Sequence, residues 1–266
     1  MVADSPDGFR QLADLSERER QAVRHLIAGN PVFRLYLEAG LAAVSGGDRS
    51  RTVLIGRGGA GVVLGIDFDD VTVRTIVGSL DAHELVLACS VGRRAELHVA
   101  EPLREPIVAL CGQRVVADQS IRYYLRPVAE QPPPDRRCRR LGEADYEAIV
   151  AFYRTHHPAT IFSRWMLDDL LVGLFDNGRL VACGGVIARH AGLSIANLGN
   201  FVTVPERRGQ GLARIVMGAL LSALAADGIR LATLGATAEN RAACRSYEAM
   251  GFELVEERAE LVIGPG

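Results

Sequence analysis

The protein has 266 residues, 48% of them hydrophobic, and its formal net charge at pH 7 is −2. A chain of this length can bury a hydrophobic core, so we expect one large folded domain or two of ordinary size. The charge provides no basic field, and no apolar run reaches the roughly 18 residues of a membrane span. Neither nucleic acid nor a membrane is therefore an expected partner, and the absence of a signal-peptide pattern favours the cytoplasm.

The N-terminal half begins with helix signals and continues with strand signals. Ser16 and Glu19 have the spacing of a capping box, and 32–44 carries apolar residues at helical intervals. Short β-branched segments follow. The predicted strands are 51–55, 61–68, 71–77, 95–99 and 119–128, and the predicted helices between them are 81–91 and 102–112. Helices followed by a strand meander indicate an α+β fold.

A glycine-rich loop at Gly56–Gly61 has the letters of the G-x-G-x-x-G dinucleotide fingerprint. The segment after it alternates and is β-branched, so the loop connects a strand to a strand. Without a helix N-terminus it offers no place for a pyrophosphate, and we interpret it as a hairpin loop.

The best domain boundary is 129–137, which contains three consecutive prolines and no apolar periodicity. It divides the chain into a domain at 1–130 and a second at 138–266. In the second domain the pattern predicts a strand at 139–141, a helix at 143–156, a hairpin around Asn177–Gly178 and a longer strand at 193–204.

The segment Pro205–Val216, PERRGQGLARIV, lies between that strand and an apolar helical pattern. A loop that opens a helix leaves unsatisfied backbone N–H groups at an end with partial positive charge. Gly209 and Gly211 permit close approach to the backbone, and Arg208 adds a charge suited to phosphate oxygens. The pattern therefore predicts an anion site, the alternative being a glycine-rich connection with solvated arginines.

The same segment resembles the coenzyme A signature of the GNAT superfamily of N-acyltransferases, with Arg208, Gly211 and Ala213 at its defining positions. Downstream, 240–252 resembles the second GNAT signature: an asparagine, a helix with a tyrosine, and Gly-Phe before a strand. The resemblance covers about 138–266, and the residues around the first signature are most similar to those of the glycine N-acyltransferase-like branch. It implies the GNAT fold, a mixed sheet flanked by helices. The N-terminal half has no copy of the coenzyme signature, and we hypothesise that it is a degenerate GNAT-like repeat.

The resemblance also implies roles for individual residues. The acyl-pantetheine arm would lie between the strand that ends at Val204 and the strand at 230–237, and Tyr247 would protonate the leaving thiolate. Tyr247 could instead be a core tyrosine, and Asn240 could instead be a helix N-cap. The implied coenzyme-binding residues are Val202, Val204, Arg208, Gly209, Gln210, Gly211, Leu212, Ala213 and Asn240.

No general base is assigned, because Asn197 and Asn200 stand on the strand where some GNAT enzymes carry a glutamate. Weaker candidates are His190, Glu239 and the pair His156–His157. Cys244 is interpreted as a packing residue, because a thiol nucleophile would need a partner. The five cysteines form no C-x-x-C pair, so we expect neither a metal site nor a disulfide framework.

The leading functional hypothesis is an N-acyltransferase that uses acetyl-CoA, with no metal, to acylate an amine of a small molecule, amino acid or peptide. The alternative is a module that binds acyl-CoA as a sensor without turning it over. Neither the acceptor nor the oligomeric state can be deduced from these residues.

Overall fold

The computed structural model of the protein describes residues 9–10, 16–45, 50–89, 92–129 and 133–265. The end of the helix predicted at 81–91 and residues 130–132 of the proline segment lie outside these described residues. The chain divides into two compact units that interleave along the sequence. Unit 1 contains the described residues up to Tyr123, together with 236–241 and those from Val255 onward. Unit 2 contains 124–235 and 242–254.

Two helices open unit 1. The first of them carries the capping box predicted from the sequence: the Glu19 backbone N–H donates to the Ser16 hydroxyl at 3.4 Å, and the Ser16 N–H donates to the Glu19 carboxylate at 2.8 Å. Five strands and two more helices follow. The elements are α1 (Glu17–Ile27), α2 (Pro31–Ser45), β1 (Arg51–Ile55), β2 (Gly61–Asp67), β3 (Val71–Gly78), α3 (Ala82–Cys89), β4 (Arg94–Val99), α4 (Glu101–Cys111) and β5 (Val115–Pro127).

Unit 2 continues with strands, helices and short 3₁₀ turns. Its elements are β6 (Cys138–Leu141), α5 (Tyr146–His156), β7 (Leu171–Asp176), β8 (Arg179–His190), β9 (Ile195–Thr203), α6 (Leu212–Ala226), β10 (Leu231–Thr237), α7 (Arg241–Ala249) and β11 (Glu253–Ile263). The β7–β8 hairpin turns at Asn177 and Gly178, both with positive φ, as the Asn-Gly pattern predicts.

The sheet of unit 1 has the strand order β1-β2-β3-β4-β11-β5. Strands β1, β2 and β3 form an antiparallel meander, β4 runs parallel to β3, and β11 pairs antiparallel with β4. One hydrophobic cluster joins residues of α1 and α2 to the sheet, and a second joins residues of α3 and α4 to it. Helices on both sides therefore bury the sheet of this unit.

In unit 2 the strand order is β10-β9-β8-β7-β6, antiparallel throughout except for the parallel β9–β10 pair. Helices α5 and α6 pack on β6–β9 through a cluster that includes Ile149, Phe152, Val216 and Leu220. Each half of the sequence thus contains the same series of elements: three antiparallel strands (β1–β3 or β7–β9), a helix, a strand parallel to the third, a helix and a final strand. This repetition supports the hypothesis of a degenerate N-terminal repeat.

The final strands depart from the predicted division at 130–138. Residues 124–127 of β5 belong to unit 2, whereas β11 from Val255 onward belongs to unit 1, where Ala259–Ile263 pair with Val99–Ala95 of β4. The sequence pattern instead predicts one domain for all of 138–266. The resemblance to the second GNAT signature implies a strand after Phe252, but it does not say which distant strand β11 pairs with. None of the described helices combines the length and the apolar character needed to cross a membrane.

Candidate functional site

The site begins where β9 separates from β10. These parallel strands pair from Ile195 and Leu231 to Leu198 and Leu234, and the ladder stops there. Strand β9 continues for five more residues, to Thr203. In the residues that the structure describes, its edge toward β10 therefore has no strand partner from Gly199 onward, and another extended chain could pair with it there.

A β-bulge shapes this free part of β9. Gly185 pairs with Gly199 and Cys183 with Val202, so two residues of β9, Asn200 and Phe201, oppose Gly184 alone. Asn200 adopts φ +58°, a left-handed conformation that asparagine tolerates better than most residues.

Neighbouring groups hold the bulge in place. The Asn200 side-chain amide donates to the carbonyl of Ile161 at 2.6 Å, and the Tyr153 hydroxyl donates to the Asn200 carbonyl at 3.2 Å. On the opposing strand a Cβ at Gly184 would lie 2.3 Å from the Phe201 ring, so glycine is required there. The bulge and its packing thus fix the direction in which the end of β9 presents its backbone.

That direction bears on the predicted binding role of Val204, which stays a prediction. Its N–H donates to the carbonyl of Val181 on β8 at 3.0 Å, and its carbonyl accepts from the N–H of Arg207 at 3.0 Å. Val202 lies two residues earlier in the same β8 register, and alternate residues of a strand direct their polar groups to the same side. The backbone groups of Val202 therefore also face β8, and those of Thr203 face the free edge.

After β9 the chain forms the predicted glycine loop. Gly209 and Gly211 have φ of +75° and +73°, and α6 begins at Leu212. A Cβ at either glycine would meet no atom within 4 Å, so the left-handed backbone, not lack of space, requires glycine. Within the described part of the chain, no backbone carbonyl accepts a hydrogen bond from the N–H groups of residues 209–213. The helix therefore starts with open donors, as an anion site requires.

Two adjacent arginines have different roles at this loop. Arg207 pairs with Asp176 and donates to the Gln210 side chain at 2.8 Å, which ties the loop to β7. Arg208 is exposed, and its Nε donates to the carbonyl of Thr203 at 3.2 Å. Its charge has no acidic partner among the described residues, so Arg208 is the arginine available to an anion.

Tyr247 lies on α7 beside the free part of β9. Its ring packs edge-to-face on Phe201, Tyr124 and Phe252, with centroids 6.1 to 6.3 Å apart. Burial, with a smaller contribution from the Cys244 thiol, raises the pKa of Tyr247 to about 12. The side chain is thus held beside the bulge by aromatic contacts and stays protonated at neutral pH.

Sequence reasoning missed Tyr124 as a neighbour of this site. It is fully buried on β5, and its hydroxyl donates to the Glu248 carboxylate at 3.2 Å. Burial and a hydrogen bond with the Cys244 thiol raise its pKa. Cys244 is itself buried, as expected for a packing residue. No local pattern could have assigned Tyr124 to unit 2, because it precedes the proline segment.

The weaker candidates for a base have structural partners. The His190 ring accepts from the N–H of Leu193 at 3.2 Å, and Nδ1 of His157 lies 2.8 Å from the Thr160 hydroxyl. The ring of His156 packs on Phe152. On β9, Asn197 is buried and donates to the hydroxyl of Thr233 at 3.0 Å. None of these side chains is poised as a free base.

Asn240 and Glu239 precede α7, are exposed, and belong to the residues grouped with unit 1. The backbone N–H of Asn240 donates to the carbonyl of Thr237 at 3.0 Å. The binding role of Asn240 stays a prediction.

At the corresponding place in unit 1, the described residues show neither a separation of the two parallel strands nor an open anion position at the start of a helix. Strand β3 pairs with the whole of β4, from Val71 and Arg94 to Ile76 and Val99. At the start of α3, the Glu84 carboxylate accepts from the N–H groups of Asp81 at 2.9 Å and Arg57 at 2.7 Å. The chain's own carboxylate occupies the position that an anion would take. Gly56–Gly61 connects β1 to β2, which confirms the interpretation as a hairpin loop.

Comparison with known proteins found a family model that matches the segment containing most of this site. Residues 135–252 match the model of the acetyltransferase (GNAT) family. No curated protein sequence matches the chain.

Solved structures share the fold at low sequence identity. A Drosophila protein is 15% identical, with a TM-score of 0.70 and coverage of 97% of this chain and 98% of its own. An acetyltransferase of the GNAT family from Novosphingobium aromaticivorans is 21% identical, with a TM-score of 0.60 and coverage of 77% and 88%. A GCN5-related N-acetyltransferase from Kribbella flavida is 18% identical, with a TM-score of 0.56 and coverage of 95% and 97%. The likeness extends over nearly the whole chain in two of the three.

Proposed function

Because residues 135–252 match the model of the acetyltransferase (GNAT) family, a family that uses acyl-CoA, we propose that this protein transfers an acetyl group from acetyl-CoA to a primary amine. The acceptor would be a small molecule, an amino acid or a peptide. One observation carries the proposal: the part of β9 that has separated from β10 leads directly into the open backbone donors at the start of α6. An extended arm with a phosphate group at one end fits this pair of features.

In this proposal the pyrophosphate binds the N–H groups of residues 209–213, and Arg208 adds a charge-assisted hydrogen bond. The pantetheine arm extends along β9 and pairs with the backbone of Thr203, whose polar groups face the free edge. Arg208 also donates to the Thr203 carbonyl, so the same side chain contacts the strand and the loop. The arm and the pyrophosphate would thus be fixed relative to each other.

The chemistry is direct attack of a neutral amine on the thioester carbonyl. Negative charge develops on the carbonyl oxygen, and a free N–H near the bulge would stabilise it. When the tetrahedral intermediate collapses, the C–S bond breaks and coenzyme A leaves as a thiolate. Tyr247 donates its hydroxyl proton toward the sulfur, because its raised pKa keeps it protonated.

No side chain is assigned as the base. The β9 asparagines cannot accept the ammonium proton as a carboxylate would, and Asn197 and Asn200 are both engaged in hydrogen bonds. We propose that the proton leaves through water. This favours acceptors whose amines are partly deprotonated near neutral pH, such as α-amino groups, over amines with the pKa of a lysine side chain.

The test is thiol release with acetyl-CoA over a panel of free amino acids, small peptides and alkyl amines, beside calorimetric titration with coenzyme A. We expect coenzyme binding and acceptor-dependent release, most strongly with α-amino groups. Coenzyme binding without release for any acceptor would favour the acyl-CoA sensor. Absence of coenzyme binding would contradict both functions.

A further inference from the structure

A second polar cluster lies in unit 1, outside the proposed acyltransferase site. On β4, Glu96 and His98 are two residues apart and therefore lie on the same face of the sheet. Glu260 of β11 is paired directly with His98, which places its side chain on that face as well. One ligand atom from each of the three residues lies within 4.8 Å of the others. From this geometry we propose that Glu96, His98 and Glu260 bind a divalent transition-metal cation such as Zn²⁺.

The imidazole is oriented as a metal ligand would be. Nδ1 of His98 lies 2.7 Å from the hydroxyl of buried Tyr123, which fixes the ring and leaves Nε2 as the free nitrogen. Nε2 is buried and makes no hydrogen bond; it lies 3.1 Å from a Glu260 oxygen, but without hydrogen-bond geometry. The His98 side chain is only 10% exposed, so its buried Nε2, which makes no hydrogen bond of good geometry, is a nitrogen that a ligand can satisfy.

Each carboxylate is also held by a neighbour at one oxygen. Arg94 donates to Oε1 of Glu96 at 2.6 Å, and the Gln119 side chain donates to Oε1 of Glu260. The second oxygen of each carboxylate is left for the cluster. Neighbours that orient the ligands in this way are a regular feature of metal sites.

The charges of the cluster also call for a cation. Two carboxylates lie within one largely buried cluster, with Arg94 2.6 Å from Glu96 and the His98 ring 3.1 Å from Glu260, and like charges this close repel each other. A divalent ion would remove this repulsion, and one nitrogen with two oxygens is a donor set that Zn²⁺ accepts, with water completing the shell. The ion would join β4 to β11.

The full-length protein tests this inference after dialysis against a chelator and addition of one equivalent of Zn²⁺. We expect about one Zn²⁺ per chain after desalting, and a midpoint of thermal unfolding raised by roughly 5 °C when free Zn²⁺ is a hundredfold above its dissociation constant. X-ray absorption at the zinc edge should show nitrogen and oxygen ligands at about 2.0–2.2 Å and no sulfur at about 2.3 Å.

Variants assign the site. His98→Gln and Glu260→Gln should lose the bound Zn²⁺ and the thermal shift, whereas Glu257→Gln on the same strand should keep both. Glu257 is exposed, is paired with Arg122 and takes no part in the cluster. Less than about a tenth of an equivalent of Zn²⁺ on the wild-type protein would overturn the inference, whatever the variants do. Retention by the His98 and Glu260 variants, or a sulfur shell, would also overturn it, because the ion would then lie elsewhere.

Discussion

Tyr124 and Tyr247 pack edge-to-face, with ring centroids 6.1 Å apart, although one lies before the proline segment and the other on α7. The Tyr124 hydroxyl is held by Glu248, one residue after Tyr247 on that helix. Edge-to-face contacts between aromatic rings contribute about 0.5–1.5 kcal/mol in addition to the hydrophobic stabilisation from the area that they bury. The ring of the proposed acid is thus positioned partly by a strand from the N-terminal half of the sequence.

Replacing the Tyr247 hydroxyl should affect turnover and not folding. For Tyr247→Phe we expect kcat to fall at least about tenfold, with the KM for acetyl-CoA within twofold, because the ring contacts are kept while the proton donor is lost. Tyr146→Phe is the control, since Tyr146 packs on Phe162 at the start of α5. Steady-state kinetics with the best acceptor measures both, and an unchanged kcat would remove Tyr247 from the mechanism.

The pH profile provides an independent test of the same residue. The pKa of Tyr247 is raised to about 12, so its proton-bearing form persists at every pH below that value. An unperturbed tyrosine, with a pKa of about 10, would lose half of its acid form at pH 10. We therefore expect the kcat of the wild type to show no decline between pH 7 and 10 that depends on the Tyr247 hydroxyl. The profile of Tyr247→Phe, although lower, should have the same shape over this range. A decline centred near pH 10 in the wild type alone would contradict the raised pKa.

Arg208 should matter for coenzyme binding but not for stability. Its charge has no acidic partner among the described residues, and a charge-assisted hydrogen bond is worth about 1.5–3 kcal/mol. Arg208→Ala should weaken coenzyme A binding about 10- to 100-fold in calorimetry, with an unchanged midpoint of unfolding. Arg179→Ala, which removes an exposed arginine paired with Glu206 at 3.2 Å, should change affinity less than twofold. Equal affinities for both variants would contradict the proposed anion site.

Gly211, just before α6, and Gly218, within α6, should respond to alanine with stability changes of opposite sign. Gly211 has φ +73°, so Gly211→Ala should destabilise the protein by about 1–2 kcal/mol and weaken coenzyme binding. Gly218 lies within α6, where an added methyl group would meet no atom within 4 Å, so Gly218→Ala should stabilise the helix by about 0.8–1 kcal/mol. Urea unfolding measures both changes. If Gly211→Ala left the free energy of unfolding unchanged, the loop would have relaxed into another conformation without cost.

The bulge at Asn200 should be more sensitive to alanine than to glycine. Both variants lose the hydrogen bonds of the Asn200 amide to Ile161 and Met166, but Asn200→Ala keeps a Cβ in a left-handed conformation and Asn200→Gly does not. We expect alanine to reduce the free energy of unfolding by about 1 kcal/mol more than glycine does. Denaturant titration of the two variants provides the comparison, and an equal loss would show that the conformation carries no strain.

Much of the fold could be predicted because its signals are local. The Ser16 capping box, the Asn177–Gly178 turn and the strands of the β1–β3 meander depend on neighbouring residues, and their predicted bounds lie close to the observed ones. The 205–216 loop was recognisable because its glycines, its arginine and the following apolar helix are contiguous.

The remaining features depend on residues that are distant in the sequence. An alternating pattern does not reveal that one strand contains an extra residue, so the bulge at Asn200 and the resulting direction of Val202 and Val204 could not be read from it. The cluster of Glu96, His98 and Glu260 requires the pairing of β4 with β11, which no periodicity encodes. Tyr124 likewise reaches unit 2 only through the fold.

The pairing of β4 with β11 also bears on synthesis. Residues 253–263 leave the ribosome after every other described strand, so β4 emerges long before the strand that pairs with it. In that interval unit 1 exposes an open edge that can recruit foreign strands. A nascent chain stalled before residue 253 would therefore leave uncovered the edge of β4 that β11 covers in the folded protein.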